Sequence, residues 1–406
     1  MRSNIPKKFG QLFFGIFFAF CISEIILRIF GFAPHNTNTF DKNNLVIFKP
    51  SSSFLIKNSC FQNTLVSNSF GFHSFEYPLQ KPSSTYRIII LGDSFVEAAQ
   101  VPLSKTFFAL LEKKLNEMNI GIRYEVIPIA KSGHGTLLNL LYAREYALQF
   151  DPDLVIESFI TNDLHEDMVD IFRLHAKQQG DEYDPESLFL NVESTGSTLF
   201  LWIKHFVLER SLLFEQAWMN FLVLKQNYQN SIILTDVNGK TNVDLEIQTQ
   251  VEPHTVQANE VWENEQRSFA TMYHFFEQKK IKFLLLHLTE AYLIEPSFRS
   301  FWNLNSEMLN QFDQNLVQQK LFQIASTTGF EFFSTQPFFV SEYKKTGNLP
   351  VWSCDNHYNY LGHEWTAGAL FRFLENSSLL PDSKKTATQR ALSPQGSGQI
   401  PKPLAK

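Results

Sequence analysis

A regular alternation of short apolar runs with helical stretches, which begins at Tyr86, constrains the fold of this chain most strongly. The helical stretches are recognised by apolar residues three and four positions apart, as at Phe107, Leu111 and Leu115. Strands that alternate with helices predict an α/β fold with a parallel sheet. The predicted order is strand 87–91, helix 104–118 with Ser104 as its N-cap, strand 123–130, helix 137–150 and strand 154–159.

The alternation stops at Leu164 and resumes near residue 257, so we interpret 164–257 as a helical insertion. It contains a strongly apolar helical segment near 199–224. A helix on the edge of the sheet, a lid, a partner surface and a second membrane-associating element all fit that segment. Beyond the insertion, the predicted elements are helix 259–279, strand 281–288, helix 305–328, strand 330–333 and helix 364–375.

Residues 1–33 predict an export segment. Basic residues precede an uncharged run, 12–23, whose length matches the core of a signal peptide, and small residues around Cys21 would permit cleavage. Alternatively, Glu24 and Arg28 can pair on a helix that is long enough to span a bilayer. We predict the second arrangement, an uncleaved anchor that keeps its basic end inside and places the rest of the chain outside the cytoplasm.

The charge, the polar segments and the cysteines indicate which partners and which outlying segments to expect. A net charge of −6 and a pI near 6.0 leave no concentrated basic footprint, so nucleic acid is not an expected partner. Residues 34–85 are expected to form an irregular stalk that folds onto the main domain, 86–380, and the basic tail, 381–406, is expected to be disordered. Outside the export segment, Cys60 and Cys354 either form a disulfide or are two unrelated buried residues.

The tripeptide Gly92-Asp93-Ser94 directly follows the first predicted strand. Open α/β sheets bind their ligands at the carboxyl ends of their strands, so the serine hydroxyl lies where chemistry is expected. The tripeptide alone is weak evidence, because a serine between a strand and a helix also serves as a helix cap. The serine becomes a candidate nucleophile only together with a base.

Asp355 and His357 supply a carboxylate and an imidazole near the end of the predicted domain. A hydroxyl nucleophile needs an imidazole as its base and a carboxylate to orient that base. Asp355 reaches the imidazole only if the turn folds it back. A surface histidine and a helix-capping aspartate are the alternatives. We expect neither a metal nor a cofactor, because His357 and His363 lack an i, i+4 spacing and an obvious third ligand.

Two further motifs follow the next two predicted strands. Gly133 lies in Lys-Ser-Gly-His-Gly-Thr after strand 123–130, where glycine lets backbone N–H groups turn toward a ligand. Asn162 lies in Thr-Asn-Asp after strand 154–159, and its uncharged amide can donate a hydrogen bond to developing negative charge. Each residue alone has an ordinary interpretation as part of a loop.

In this order, the four motifs resemble the SGNH/GDSL family of serine esterases and acyltransferases, in particular its membrane-anchored bacterial type. The resemblance covers roughly 86–375 without the insertion. It implies a three-layer α/β/α sandwich on a parallel five-stranded, flavodoxin-like sheet. The implied roles are Ser94 as nucleophile, His357 as base, Asp355 as the orienting acid, and the N–H groups of Ser94 and Gly133 with the Asn162 amide as oxyanion donors.

Two positions depart from the family pattern. Many members place the acid three residues before the histidine, whereas Asp355 lies two before His357. The serine block continues with Phe95-Val96-Glu97 instead of Leu-Ser or Leu-Thr. The first departure bears on the role of Asp355, and the second bears on substrate choice.

These observations predict an exported, membrane-anchored esterase with an extracytoplasmic catalytic domain. Its expected substrate is an ester, such as an acyl group on an envelope glycan or on a lipid-like molecule, which it would cleave through an acyl-enzyme. An O-acyltransferase of an extracytoplasmic polysaccharide would use the same residues. A catalytically idle module that binds a glycan or a partner is the third hypothesis.

Overall fold

The computed structural model of the chain describes residues 5–29, 37–43, 45–189, 211, 249–250, 256–295, 297–298 and 312–381. The predicted apolar segment 199–224 and the basic tail therefore lie outside the described residues, apart from isolated positions. The expected export segment forms a helix, Ile5–Ile29. Over the described part of the chain, no helix combines the length and the apolar character that crossing a bilayer requires. The membrane anchor is therefore not confirmed.

The expected stalk is not irregular, because it contains two antiparallel hairpins. Strands β1 (Asn38–Phe40) and β2 (Val46–Phe48) form the first, and β3 (Ser53–Lys57) and β4 (Gln62–Val66) form the second. Leu45 belongs to a core cluster of the main domain. The segment is thus part of the folded unit, and its short strands escaped prediction because they are interrupted by polar turns.

A five-stranded parallel sheet forms the centre of the domain, as the alternation predicts. The sheet strands are β5 Thr85–Gly92, β6 Arg123–Ala130, β7 Leu154–Phe159, β10 Lys282–His287 and β11 Glu331–Ser334. A two-residue hairpin, β8 (Gln178–Gln179) with β9 (Glu182–Tyr183), lies within the predicted insertion, outside this sheet. The sheet has the order β6-β5-β7-β10-β11, and every neighbouring pair is parallel. This is the flavodoxin-like order, in which the chain changes direction between β5 and β7.

Helices cover both faces of this sheet, because alternate residues of a strand point to opposite sides. In β5, Ile89 and Leu91 belong to one buried apolar cluster, and Ile88 and Ile90 belong to the other. The first cluster includes residues of helices Thr136–Glu145, Val256–Glu277 and Leu316–Thr328, and the second includes residues of helices Phe107–Glu117, Gln336–Thr346 and Tyr360–Glu375. The arrangement is the predicted three-layer sandwich.

Two helix predictions need correction. The helix predicted to start at Ser104 begins at Phe107 instead, because Leu103–Lys105 forms a 3₁₀ turn and Thr106 is the N-cap. Helix Asp163–Arg173 lies at the start of the predicted insertion and continues the α/β alternation. Its inward side carries buried acids, among them Asp163, Asp167 and Asp170, so a search for apolar periodicity does not find it.

A fully buried arginine joins β5 to its surroundings. The side chain of Arg87 is 0% exposed, and its Nε lies 2.7 Å from Oε2 of Glu125 on β6. Its Nη1 donates to the carbonyls of Leu79 and Phe150 at 2.8 and 2.7 Å. Removing the arginine would leave the buried Glu125 carboxylate without its nearest positive partner, with only the exposed Arg123 at 3.7 Å.

A disulfide joins Cys60 to Cys354, with their Cα atoms 6.0 Å apart. It therefore links the turn after β3 to the loop that carries Asp355. Of the two arrangements that the sequence allowed, the structure shows the disulfide. Cys21 is the free cysteine of the described residues.

We predict that thiol titration of the denatured full chain gives one reactive thiol before reduction and three after it. Cys21 accounts for the first, and the two residues of the disulfide account for the others. Mass spectrometry after alkylation would assign them. Three reactive thiols in unreduced protein purified without reductant would contradict the disulfide.

We predict that Arg87→Met lowers the free energy of unfolding by about 3 to 5 kcal/mol, because the buried Glu125 carboxylate loses its nearest positive partner. Urea unfolding followed by circular dichroism measures this change. Arg123→Met is the matched control: its side chain is 69% exposed and its Nε lies 3.7 Å from the same carboxylate. The control should cost less than about 1 kcal/mol. Equal losses in both variants would contradict the role of Arg87.

Candidate active site

The serine lies at the carboxyl end of β5, two residues after Gly92, where neighbouring side chains leave no room for a Cβ. A Cβ at Gly92 would lie 2.0 Å from Oγ of Ser158 and 2.5 Å from Cγ2 of Val96. The next residue, Asp93, is the N-cap of the short helix Ser94–Glu97, since its Oδ1 accepts a hydrogen bond from the Phe95 N–H at 2.9 Å. Asp93 therefore performs the capping, and the hydroxyl of Ser94 is free for another role.

Ser94 and His357 are 263 positions apart in the chain but form a hydrogen bond. The Ser94 Oγ lies 2.8 Å from His357 Nε2, and His357 Nδ1 lies 2.5 Å from Asp355 Oδ1 and 3.0 Å from the Asp355 carbonyl. Asn356, between acid and base, has φ of +59°. This left-handed conformation folds the aspartate back onto the imidazole. The structure thus brings together all three residues expected for nucleophilic catalysis, at the two-residue spacing.

The surroundings of His357 determine its protonation. Burial acts to lower the pKa of His357, but the hydrogen bond and the charge of Asp355 outweigh burial and raise that pKa above its usual value. Asp93 is a second acceptor for the serine proton, with its Oδ2 3.0 Å from Ser94 Oγ. Burial raises the pKa of Asp93.

The loop that carries Gly133 is attached to the serine helix by a buried ion pair. Lys131 Nζ lies 2.5 Å from Glu97 Oε2, and the N–H and hydroxyl of Ser132 donate to the same carboxylate at 3.0 and 2.9 Å. The φ of Gly133 is +78°, in the region that favours glycine. No individual role was predicted for Glu97 from the sequence. The features that could have indicated this ion pair are the acid in the unusual serine block and the lysine in the glycine motif.

Asn162 follows β7 and faces the same cavity as the serine. This cavity of about 270 Å³ is lined by Ser94, Asn162 and His357, and by Phe95, Ile160, Glu290, Ala291, Tyr292, Phe298 and Asn356. The Asn162 Nδ2 donates to Glu166 Oε1 at 3.2 Å. Gly133 is not among the lining residues; a Cβ at its position would lie 3.8 Å from the same Glu166 oxygen. Two of the three residues expected to supply oxyanion donors, Asn162 and Gly133, therefore lie near Glu166 Oε1.

Two further residues line the cavity wall: Phe95, whose serine block was expected to bear on substrate choice, and Glu290, which was not identified from the sequence. Phe95, part of the unusual serine block, places its ring 5.0 Å from the imidazole of His357. The Oε2 of Glu290 accepts hydrogen bonds from the N–H and hydroxyl of Thr161 at 3.0 and 2.5 Å. Burial raises the pKa of Glu290. No sequence motif marked Glu290, because its position depends on β10 reaching the same edge of the sheet.

The alternative role of His363 in a metal site has no counterpart in the structure. His363 Nδ1 accepts a hydrogen bond from the Phe107 N–H at 3.2 Å, and its ring stacks on the Phe107 ring. Burial lowers the pKa of His363 to about 3. Within the described ranges, no group of three or more His, Cys, Asp or Glu side chains could hold a metal ion.

We predict that the pKa of His357, followed by NMR, is above 6.5 in the wild-type protein and falls in Asp355→Asn. The substitution removes the charge that stabilises the imidazolium while keeping the side-chain shape. Glu117→Gln, at an exposed helix position with 62% side-chain exposure, is the control and should leave the titration unchanged. A His357 pKa that is the same in Asp355→Asn and wild type would contradict the pairing.

Comparisons with known proteins gave matches among solved structures only. No family model and no curated protein matches the chain. TesA is 14% identical, with 72% of this chain and 99% of that chain covered and a TM-score of 0.38. A GDSL-like lipase from Bacteroides thetaiotaomicron is 14% identical (73% and 91% covered, TM-score 0.35), and a mutant of the acetylxylan esterase Axe2 from Geobacillus stearothermophilus is 12% identical (73% and 97%, TM-score 0.38). The chain is thus similar, at low identity, to solved structures of GDSL-like lipases and esterases.

Proposed function

We propose that this chain is a serine esterase of the SGNH/GDSL type, with Ser94 as nucleophile, His357 as base and Asp355 as the orienting acid. The observation that carries the proposal is the continuous hydrogen-bonded series from Ser94 Oγ through the imidazole to the Asp355 carboxylate. A hydroxyl becomes a useful nucleophile near neutral pH when such a base accepts its proton.

In the first half of the reaction, Ser94 Oγ attacks the carbonyl carbon of the ester while His357 Nε2 takes the hydroxyl proton. Negative charge develops on the carbonyl oxygen, and the N–H groups of Ser94 and Gly133 with the Asn162 amide stabilise it. The intermediate collapses, the ester C–O bond breaks, and His357 returns the proton to the leaving alcohol. The acyl group is then bound to Ser94 through a new ester.

In the second half, water attacks the acyl-enzyme while His357 takes one of its protons. Collapse of the second intermediate releases the carboxylic acid and restores the serine hydroxyl. If a sugar hydroxyl takes the place of water, the same steps make the chain an O-acyltransferase of a polysaccharide. The proton transfers are the same in both cases, so the acceptor alone distinguishes the two activities.

The size of the cavity supports a short acyl group. Its volume of about 270 Å³ is below the usual range of pockets that hold drug-sized molecules. We therefore propose a small acyl ester, carried by an envelope glycan or a lipid-like molecule, as the substrate. An extracytoplasmic location with an N-terminal membrane anchor fits the basic and apolar N-terminal segment and the Cys60–Cys354 disulfide, since disulfides persist in oxidising compartments.

We predict that a fluorophosphonate probe labels the wild-type protein and does not label Ser94→Ala, because the probe reacts with an activated serine hydroxyl. Ser326→Ala, an exposed position on another helix, is the matched control and should label like the wild type. Fluorescence after gel electrophoresis measures the result. Equal labelling of Ser94→Ala and wild type would contradict the proposed nucleophile, and no labelling of either would favour the idle binding module.

We predict that Asn162→Ala lowers kcat for a short-chain ester by about 10²- to 10³-fold, the usual effect of removing one oxyanion donor. Steady-state hydrolysis of p-nitrophenyl acetate measures this, with the rate of Ser94→Ala subtracted. A loss confined to KM would contradict the role of the amide. Product analysis with and without an acetyl-accepting glycan then separates hydrolysis from acyl transfer.

A further inference from the structure

A carboxyl group accepts a hydrogen bond from one of the proposed oxyanion donors. Glu166, on helix Asp163–Arg173, accepts the Asn162 Nδ2 hydrogen bond through Oε1, and that oxygen also lies beside Gly133. We propose that Glu166 is a positioning residue of the oxyanion site: it orients the Asn162 amide, and it supports the reaction only while it is uncharged. The inference rests on the proposed esterase function and adds a residue to it.

The hydrogen bond to Glu166 sets the orientation of the Asn162 amide. The oxygen and nitrogen of an amide have nearly the same shape, so their positions are set by hydrogen-bond partners. The Asn162 Oδ1 is buried and has no partner among the described residues, whereas Nδ2 donates to Glu166. Oε1 thus fixes which side of the amide carries the nitrogen. One N–H group is used by Glu166, and the second remains to donate to the oxyanion.

The charge of Glu166 also affects the oxyanion site. Oε1 lies 3.2 Å from the proposed donor Asn162 Nδ2, and a Cβ at Gly133 would lie 3.8 Å from it, so a carboxylate there would repel a nearby oxyanion. The neutral acid still accepts from Nδ2 through its carbonyl oxygen and brings no such repulsion. The other oxygen, Oε2, is buried and has no hydrogen-bond partner in the described part of the chain. An unsolvated, unpartnered oxygen favours the neutral form as well.

The surroundings keep Glu166 neutral at physiological pH. Burial is the largest cause, and it raises the pKa of Glu166 to about 8. The negative charges nearby act in the same direction, while the hydrogen bond from Asn162 and one positive charge oppose it. The charged and titratable groups that act on Glu166 are Asp93 from the serine turn, and Asp163, Asp170 and Arg173 from its own helix.

The expected pH dependence follows from the signs of these shifts. Below its pKa Glu166 is neutral and the oxyanion site is intact; as pH rises past about 8, Glu166 ionises and the rate falls. Deprotonation of His357 raises the rate as pH increases, because only the neutral imidazole accepts the serine proton. The acid limb of the profile therefore belongs to His357, and the alkaline limb belongs to Glu166.

The test compares kcat and KM across pH for wild type, Glu166→Gln and Glu166→Ala, with p-nitrophenyl acetate as the probe and the Ser94→Ala rate subtracted at each pH. Glu166→Gln keeps a carbonyl acceptor for Asn162 but cannot ionise, so the alkaline limb near pH 8 should disappear. Glu166→Ala removes the acceptor and should lower kcat about tenfold at neutral pH, with KM little changed. Glu117→Gln is the matched control and should keep the whole wild-type profile.

The outcomes separate the two proposals. If Ser94-dependent hydrolysis is present and Glu166→Gln keeps the wild-type alkaline limb, the role of Glu166 is overturned and the esterase stands. If folded Glu166→Ala keeps the wild-type kcat, the positioning role is overturned in the same way; thermal unfolding establishes that the variant is folded. If wild type and Ser94→Ala hydrolyse the ester equally, the esterase function fails, and the role of Glu166 fails with it.

Discussion

The parallel pairing of β5 with β6 and β7 is the constraint on which the rest of the structure depends. In this register Gly92 lies opposite Ala130, and Leu91 lies opposite Glu157, so the three strands end at nearly the same level. Parallel strands that end together bring their following loops to one edge of the sheet. The serine turn, the glycine loop and the start of helix Asp163–Arg173 meet there for that reason. The loop of His357 completes the site from the far end of the chain.

The polar interior around this edge is unusually acidic. Glu157, Asp163, Asp167 and Glu265 are all buried, and burial raises the pKa of each. A buried carboxyl is tolerated when it is hydrogen-bonded or neutral, and raised pKa values favour the neutral form. Asn139 and Ser268 supply hydrogen bonds to Glu157 and Asp167. The domain thus has hydrogen-bonded acids beneath the edge that carries Ser94, where many sheets carry apolar residues.

Part of this arrangement can be predicted from the sequence. The boundaries of β6 and β7 follow from apolar runs, because burial on both faces requires nearly continuous apolar residues. Ser94 and His357 could be selected because each belongs to a recognisable motif. The Lys131–Glu97 ion pair could not be predicted, since it joins loops that only the folded sheet brings together. The conformation of Asn356 could not be predicted either, because the surroundings of a residue other than glycine decide whether it adopts a left-handed φ.

The disulfide between Cys60 and Cys354 has a consequence for how the site is completed. The serine, glycine and asparagine loops all belong to the first half of the chain, whereas the base and its acid lie beyond the last strand of the sheet. During synthesis, the three loops therefore emerge long before the segment that carries His357 and Asp355. The cysteine that closes the covalent ring directly precedes Asp355. The ring can therefore close only once the segment that completes the site has been synthesised.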